Sequence, residues 1–180
     1  GVEDAGTRVE SVADHSWRMA AASFLLTGAM VEHADDGTPL EAGVEPRPYD
    51  VGKVVKLAVL HDMAEAITGD IAPADNVSKE DKHRLEEEAM TKLITAMSCF
   101  TEGGATQVRG LFDEYEARSS PEAIACKDID LLEMVVQADT YEIKTGLDLG
   151  DFFKTVEGRF KTSVVRGWAE RLVEERDARL

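Results

Sequence analysis

The feature that most restricts the fold of this chain is the spacing of its apolar residues, which recur at intervals of three and four. One such series contains Met19, Ala22 and Leu26 and continues the spacing of His15. Another contains Val54, Leu57 and Ala58 and leads to His61. Residues with this spacing lie on one face of an α-helix. We find no segment that alternates apolar and polar residues between turn-forming pairs, which is the pattern of a β-strand. The sequence therefore predicts an all-α fold, a helical bundle.

Signals for the start and end of helices divide the chain further. The predicted helices cover residues 11–32, 50–68, 78–100, 106–117 and 121–145, with one or two more within 151–177. Ser11 and Ser78 each precede an aspartate by three residues, which is the spacing of a capping box. Pro121 suits the first position of a helix and Gly69 suits a helix end, whereas the glycine pair at 103–104 is expected to separate two helices. We expect a single domain over 1–180, because no long polar linker divides the chain.

The acidic composition limits the partners of the protein. Acidic residues number 36 and basic residues 20, which gives a formal charge of −16. Nucleic acids and anionic membranes require a basic surface, so neither is expected as a partner. No apolar run approaches the roughly 18 residues of a membrane-spanning helix, and no signal peptide is visible. Cys99 and Cys126 have no CxxC neighbour, so we expect two buried free thiols and a reducing, intracellular location, the cytoplasm.

Polar residues interrupt the apolar faces of the first two helices. His15 lies on the apolar stripe of the first helix, where a lone histidine is more often a hydrogen-bonded core residue than a metal ligand. In the second helix the apolar face leads directly into His61, Asp62 and Glu65, and Asp70 follows. Burying so many potential charges is costly unless they are paired, and borderline divalent metals accept imidazole and carboxylate together. This segment therefore favours metal binding or catalysis over a solvated helix end.

A further acidic group lies in the helix predicted over 121–145. It consists of Asp128, Asp130, Glu133 and Asp139. The helical spacing does not choose between Asp130 and Asp139 as a functional residue. For any single acidic residue of this group, a surface carboxylate is the favoured interpretation.

Three segments together carry a histidine, then an adjacent His-Asp pair, then a distant aspartate. They are RVESVADHSWRMA at 8–20, LAVLHDMAEAITGDIAPADNVSKEDKHRLEEEAM at 57–90 and CKDIDLLEMVVQADTYE at 126–142. This pattern resembles the HD-domain metal-dependent phosphohydrolases, and it is closer to one branch, the 5′-deoxynucleotidases of the HD-domain-containing protein 2 type. HDMAE followed by GDIAPADN is highly specific, whereas an isolated His-Asp pair is not.

The resemblance implies a set of four metal ligands. His15 resembles the first ligand of the family, and His61 and Asp62 resemble the second and third. The fourth is the aspartate of a K-x-x-D segment, which is Asp130 here. The resemblance therefore selects Asp130 and leaves Asp139 at the surface or behind the ligands.

The resemblance also implies catalytic and substrate-binding residues. Glu65 and Asp70 match acidic residues beside the attacking water and the substrate. Glu65 would orient or deprotonate the water, and Asp70 would hold the substrate or protonate the leaving 5′-oxygen. Arg8 matches an arginine that reaches the phosphate, and Lys127 is expected to contact it as well.

The implied reaction is the hydrolysis of a deoxynucleoside 5′-monophosphate to deoxynucleoside and phosphate with one divalent metal ion, Co, Mn, Mg, Fe or Zn. Alternatives are another nucleotide or phosphate ester as substrate, or a non-catalytic metal-binding helical scaffold. The resemblance further implies a homodimer, although core packing is the favoured role for Trp17, Trp168, Phe152 and Phe153. Family members usually carry a further N-terminal helix, which we expect to be lacking here because only seven residues precede Arg8.

Overall fold

The computed structural model describes residues 6–32, 38, 45–69, 71 and 77–180. The helices are α1 (Val12–Ser23), α2 (Val51–Leu60), α3 (Glu65–Thr68), α4 (Lys79–Ser98), α5 (Glu102–Ala117), α6 (Pro121–Thr145), α7 (Gly150–Val156) and α8 (Ser163–Asp177). A 3₁₀ turn, Phe24–Leu26, follows α1. Within these residues the only β-type pairing is an isolated bridge between Met30 and Pro48. The predicted all-α fold is confirmed, while most of the predicted loop over 33–49 and connector over 71–76 lies outside the described residues.

The predicted helix starts are set by side chains that satisfy free backbone N–H groups. The Ser11 hydroxyl accepts a hydrogen bond from the Asp14 N–H, and the Asp14 carboxylate accepts one from the Ser11 N–H, so the capping box is complete. Ser78 caps α4 in the same position, and Ser120 caps α6 with Pro121 in its first turn. The predicted starts of these three helices are confirmed.

Two predicted helices are shorter than expected. The first ends at Ser23, with the 3₁₀ turn behind it, rather than near residue 32. The second ends at Leu60, where the imidazole Nδ1 of His61 binds the carbonyl of Ala58 at 2.9 Å. The backbone hydrogen bonds that follow span three residues, until α3 begins at Glu65. The predicted helix over 50–68 is therefore two helices with His61 and Asp62 in the turn between them.

The glycine pair lies inside a helix instead of between two helices. The α5 helix begins at Glu102, and the Thr101 hydroxyl accepts a hydrogen bond from the Gly104 N–H at 3.3 Å. A Cβ at position 104 would lie 2.6 Å from the Thr101 methyl group. The missing side chain of Gly104 thus permits this cap, and the prediction of a break was wrong.

The α6 helix is the centre of the bundle and packs against α1, α2, α5, α7 and α8. Fully buried side chains of α6 and of its neighbours form one core cluster, which includes Met19, Leu26, Val54, Leu57, Ile129 and Val165. Because α1 and α2 also pack against each other, one end of α2 and the middle of α1 both face α6. This arrangement brings the polar interruptions of three helices to one place.

Some side chains predicted to be buried are exposed. Cys126 is buried as expected, but Cys99 at the end of α4 is exposed, and both thiols are free. Trp17 is 74% exposed because it lies two residues, about 200° around the helix, from His15 on the inner face of α1. Phe152 is exposed as well, so core packing was the wrong prediction for both aromatics. Within the described part of the chain, no helix combines the length and apolar character that a bilayer-spanning segment requires.

Candidate metal centre

Side chains from three helical regions converge at the inner end of α2. His15 comes from α1, His61 follows α2, and Asp130 comes from α6; each offers a nitrogen or oxygen atom within 4.8 Å of the others. The Nε2 atom of His15 lies 3.2 Å from Oδ1 of Asp130. The two imidazole rings have centroids 5.3 Å apart. Residues that are up to 115 positions apart in the sequence thus share one polar cluster in the core.

Asp62 completes the group of four side chains predicted as ligands. Its Oδ2 atom lies 3.0 Å from Nε2 of His61 and 3.6 Å from Nε2 of His15. Asp139, the competing aspartate of α6, is instead paired with Arg179. The structure therefore brings together His15, His61, Asp62 and Asp130, and places Asp139 in a different contact.

The cluster contains a buried nitrogen that lacks a hydrogen-bond partner. His61 is only 4% exposed, and its Nε2 atom makes no hydrogen bond with a described group; the 3.0 Å approach of Asp62 Oδ2 is a close contact and not a hydrogen bond. A buried polar atom without a partner normally costs about 1–3 kcal/mol. The Nδ1 atom of the same ring is held by Ala58, so the ring cannot simply turn away. Two imidazole nitrogens and two carboxylates at such distances fit a divalent cation of borderline character.

The electrostatics of the cluster favour positive charge at its centre. Burial opposes protonation of His15, but hydrogen bonds to Asp130 and Glu133 raise its pKa to about 10. Burial also opposes ionisation of Asp130, yet the hydrogen bond from His15 and the charges of Lys127 and His61 lower its pKa. The carboxylates therefore stabilise a cationic partner, which is the condition for holding a metal ion here.

Asp130 is held on its other oxygen. Lys127 donates a hydrogen bond to Oδ2 at 2.5 Å, and the Tyr115 hydroxyl donates to the same atom at 3.2 Å. Oδ1 faces His15. The two donors fix the carboxylate so that one oxygen is directed at the imidazole pair.

A cavity of about 160 Å³ adjoins the cluster and could admit part of a substrate. Its lining includes His61, Asp62, Glu65, Lys82 and Lys127. The Glu65 side chain is 9% exposed and lies 4.0 Å from the Lys82 ammonium. The predicted catalytic residue Glu65 is therefore beside the cluster, whereas Asp70, the other one, lies outside the described residues.

The two predicted phosphate contacts differ in position. Lys127 borders both the cavity and Asp130. Arg8 is 78% exposed along its side chain and pairs with Asp14 at 2.7 Å, at the start of α1. Its role at the phosphate stays a prediction.

Sequence reasoning missed two residues of this site. Glu133 was grouped with other acidic residues without a role, although it lies one turn after Asp130 and so shares its side of α6. Tyr115 carried no signal, because only the packing of α5 against α6 places its hydroxyl on Asp130.

The fold and the cluster define a class of helical protein whose bundle core holds a histidine and aspartate site. The sequence matches the HD domain over residues 1–172, and the chain belongs to this family. It is 38% identical over 169 residues to 5′-deoxynucleotidase HDDC2 of Danio rerio, covering 93% of this chain and 74% of that protein. It is 39% identical over 176 residues to 5′-deoxynucleotidase HDDC2 of Homo sapiens, covering 96% and 76%. The solved structure of HD domain-containing protein YGK1 has a TM-score of 0.65 at 28% identity, covering 93% and 78%.

Proposed function

We propose that this protein is a metal-dependent 5′-deoxynucleotidase that hydrolyses deoxynucleoside 5′-monophosphates to deoxynucleoside and phosphate. The observation that carries the proposal is the buried cluster, in which Nε2 of His61 lacks a hydrogen bond beside two carboxylates. The relatives named as 5′-deoxynucleotidases support the choice of substrate class.

His15, His61, Asp62 and Asp130 would hold one divalent ion through two nitrogens and two oxygens. Co, Mn, Fe and Zn accept this mixed set, and Mg is also compatible with its carboxylates. When bound, the ion supplies Lewis acidity toward a water molecule and toward the phosphoryl oxygens.

Glu65, which borders the cavity, and Asp70 would carry out the proton transfers. Glu65 accepts a proton from the water whose oxygen attacks phosphorus, and the bond from phosphorus to the 5′-oxygen breaks. Asp70 returns a proton to the leaving 5′-oxygen. Lys127 has three N–H donors, of which one is used on Asp130, so the others can bind phosphate. Arg8 would bind the phosphate from the start of α1.

A turnover assay with matched variants tests the metal site. The purified protein is stripped with a chelator, reloaded with Co²⁺, Mn²⁺ or Mg²⁺, and assayed for phosphate release. His61→Ala and Asp62→Ala should lose both metal and activity and keep the helical circular dichroism spectrum. His83→Ala is the control, because that imidazole is 61% exposed on α4 and contacts Glu116. Metal-dependent turnover at the wild-type rate in His61→Ala would refute the site.

A substrate panel tests the proposed reaction. It contains all deoxy- and ribonucleoside 5′-monophosphates, a cyclic nucleotide and a nucleoside triphosphate. Preference for the deoxynucleoside monophosphates supports the proposal. Turnover of another phosphate ester supports the alternative enzyme, and metal binding without any turnover supports the scaffold.

The homodimer expected from the resemblance also belongs to this proposal. The exposed apolar side chains Trp17, Phe24 and Leu25 at α1 are compatible with a contact between two copies. Light scattering coupled to size-exclusion chromatography tests it, and a monomer at assay concentration would contradict it. The cytoplasmic location stays a prediction.

A further inference from the structure

Glu133 makes a contact that the proposed reaction does not use. It lies on α6, one turn after Asp130, and only 5% of the residue is exposed. Its Oε2 atom lies 2.5 Å from Nδ1 of His15, and its Oε1 atom accepts a hydrogen bond from Nε of Arg18. Both carboxylate oxygens therefore have partners on α1.

This contact determines which nitrogen of His15 can bind a metal. An ionised carboxylate can only accept hydrogen bonds, so Nδ1 of the ring must carry the proton when the imidazole is neutral. Nε2 then presents its lone pair, and this is the atom that faces Asp130 and Asp62. Without the carboxylate, the ring could rotate or adopt the other tautomer.

We propose that Glu133 is a positioning residue that holds His15 in the orientation and tautomer required for metal binding through Nε2. The inference rests on the proposed function, because it presumes that the cluster binds a divalent ion. Partners behind metal-binding histidines typically change metal affinity 10–100-fold when they are removed.

Arg18 explains why Glu133 acts on His15 rather than on a second metal. Glu10, His15 and Glu133 also offer atoms within 4.8 Å of one another. The guanidinium of Arg18 pairs with both Glu10 and Glu133, so a cation already stands between these carboxylates. Arg18 lies one turn after His15 on α1 and fixes the oxygen of Glu133 that His15 does not use.

The experiment measures Co²⁺ affinity by calorimetry and the visible absorption spectrum of bound Co²⁺, so that it does not depend on turnover. Glu133→Gln has nearly the same size, but its neutral amide is a weaker acceptor and can also donate. We expect its Co²⁺ dissociation constant to rise about 10-fold or more, within the 10–100-fold range. Glu133→Leu offers no acceptor and should bind more weakly still. The helical circular dichroism spectrum is recorded for each variant.

Glu122→Gln is the matched control. Glu122 is likewise a buried glutamate of α6, 1% exposed, and it pairs with an arginine, Arg47. The Glu122→Gln substitution is expected to lower the free energy of unfolding and to leave the Co²⁺ affinity unchanged. If Glu133→Gln binds Co²⁺ with the wild-type affinity, the inference about Glu133 is overturned, while the proposed metal site stands. The inference is also overturned if Glu122→Gln loses as much Co²⁺ affinity as Glu133→Gln, because the effect would then be general destabilisation. Absence of Co²⁺ binding by the wild type would overturn the proposed metal site together with the inference.

Discussion

Asp128 is predicted to stabilise the fold without taking part in the metal site, although it lies only two residues before Asp130. The residue is 2% exposed, and its Oδ2 atom accepts three hydrogen bonds. The donors are the Lys161 N–H at 2.8 Å, the Thr162 N–H at 2.6 Å and the Thr162 hydroxyl at 2.8 Å. Because Thr162 immediately precedes α8, this carboxylate attaches the start of α8 to α6.

The Asp128→Ala variant removes the acceptor of all three bonds and leaves buried donors behind. Thr162 is fully buried, so water reaches its donors poorly. Hydrogen bonds to a charged group contribute about 1.5–3 kcal/mol each, and with partial relaxation the three together predict a loss of about 3–6 kcal/mol. This is a large part of the roughly 5–15 kcal/mol by which a domain is normally stable.

Urea unfolding followed by circular dichroism measures the loss. Asp151→Ala is the control, because that carboxylate is 92% exposed and pairs with a surface lysine, Lys154, so a change below about 1 kcal/mol is expected. In native buffer, folded Asp128→Ala should bind Co²⁺ as the wild type does. A loss below about 1 kcal/mol, or Co²⁺ binding weakened in the folded variant, would refute the reasoning.

Three further predictions separate the roles of other acidic residues. Glu65→Gln should retain bound metal and lose about 10²–10⁴-fold in turnover, as measured by metal analysis and phosphate release; loss of the metal would instead make Glu65 a ligand. Asp139→Asn should leave Co²⁺ affinity nearly unchanged while Asp130→Asn abolishes it, and equal losses in calorimetry would reverse the choice between them. Hydrogen bonds from Arg176 lower the pKa of Glu142 below its usual 4.5, so the stability that this carboxylate contributes is present above that pH and is lost as the pH falls. Glu142→Gln should therefore weaken the dependence of the urea unfolding midpoint on acid pH. An unchanged pH dependence would contradict this prediction.

Local signals in the sequence were sufficient for much of the helical frame. Ser11 and Ser78 were recognisable as caps because a capping box depends on a residue three positions away, and Pro121 marked the start of α6 because proline suits the first position of a helix. The turn at His61 was not recognisable, because the sequence does not show that its imidazole binds the Ala58 carbonyl. Gly104 was misread for a related reason: its contact with Thr101 turns a helix-breaking residue into part of a helix start.

The sequence by itself determined the helical periodicity and the adjacency of His61 and Asp62, because both involve only residues within one or two helical turns of each other. Helical spacing indicates only the direction in which a side chain points from the axis of its own helix. It does not indicate which residues of other helices that side chain contacts. The contacts of the acidic residues of α6 therefore depend on tertiary packing. Asp128 binds the start of α8, Asp130 lies beside the two histidines, and Glu133 contacts Nδ1 of His15. The three carboxylates lie on one helix, and they differ in their contacts because a different part of the fold packs against each of them.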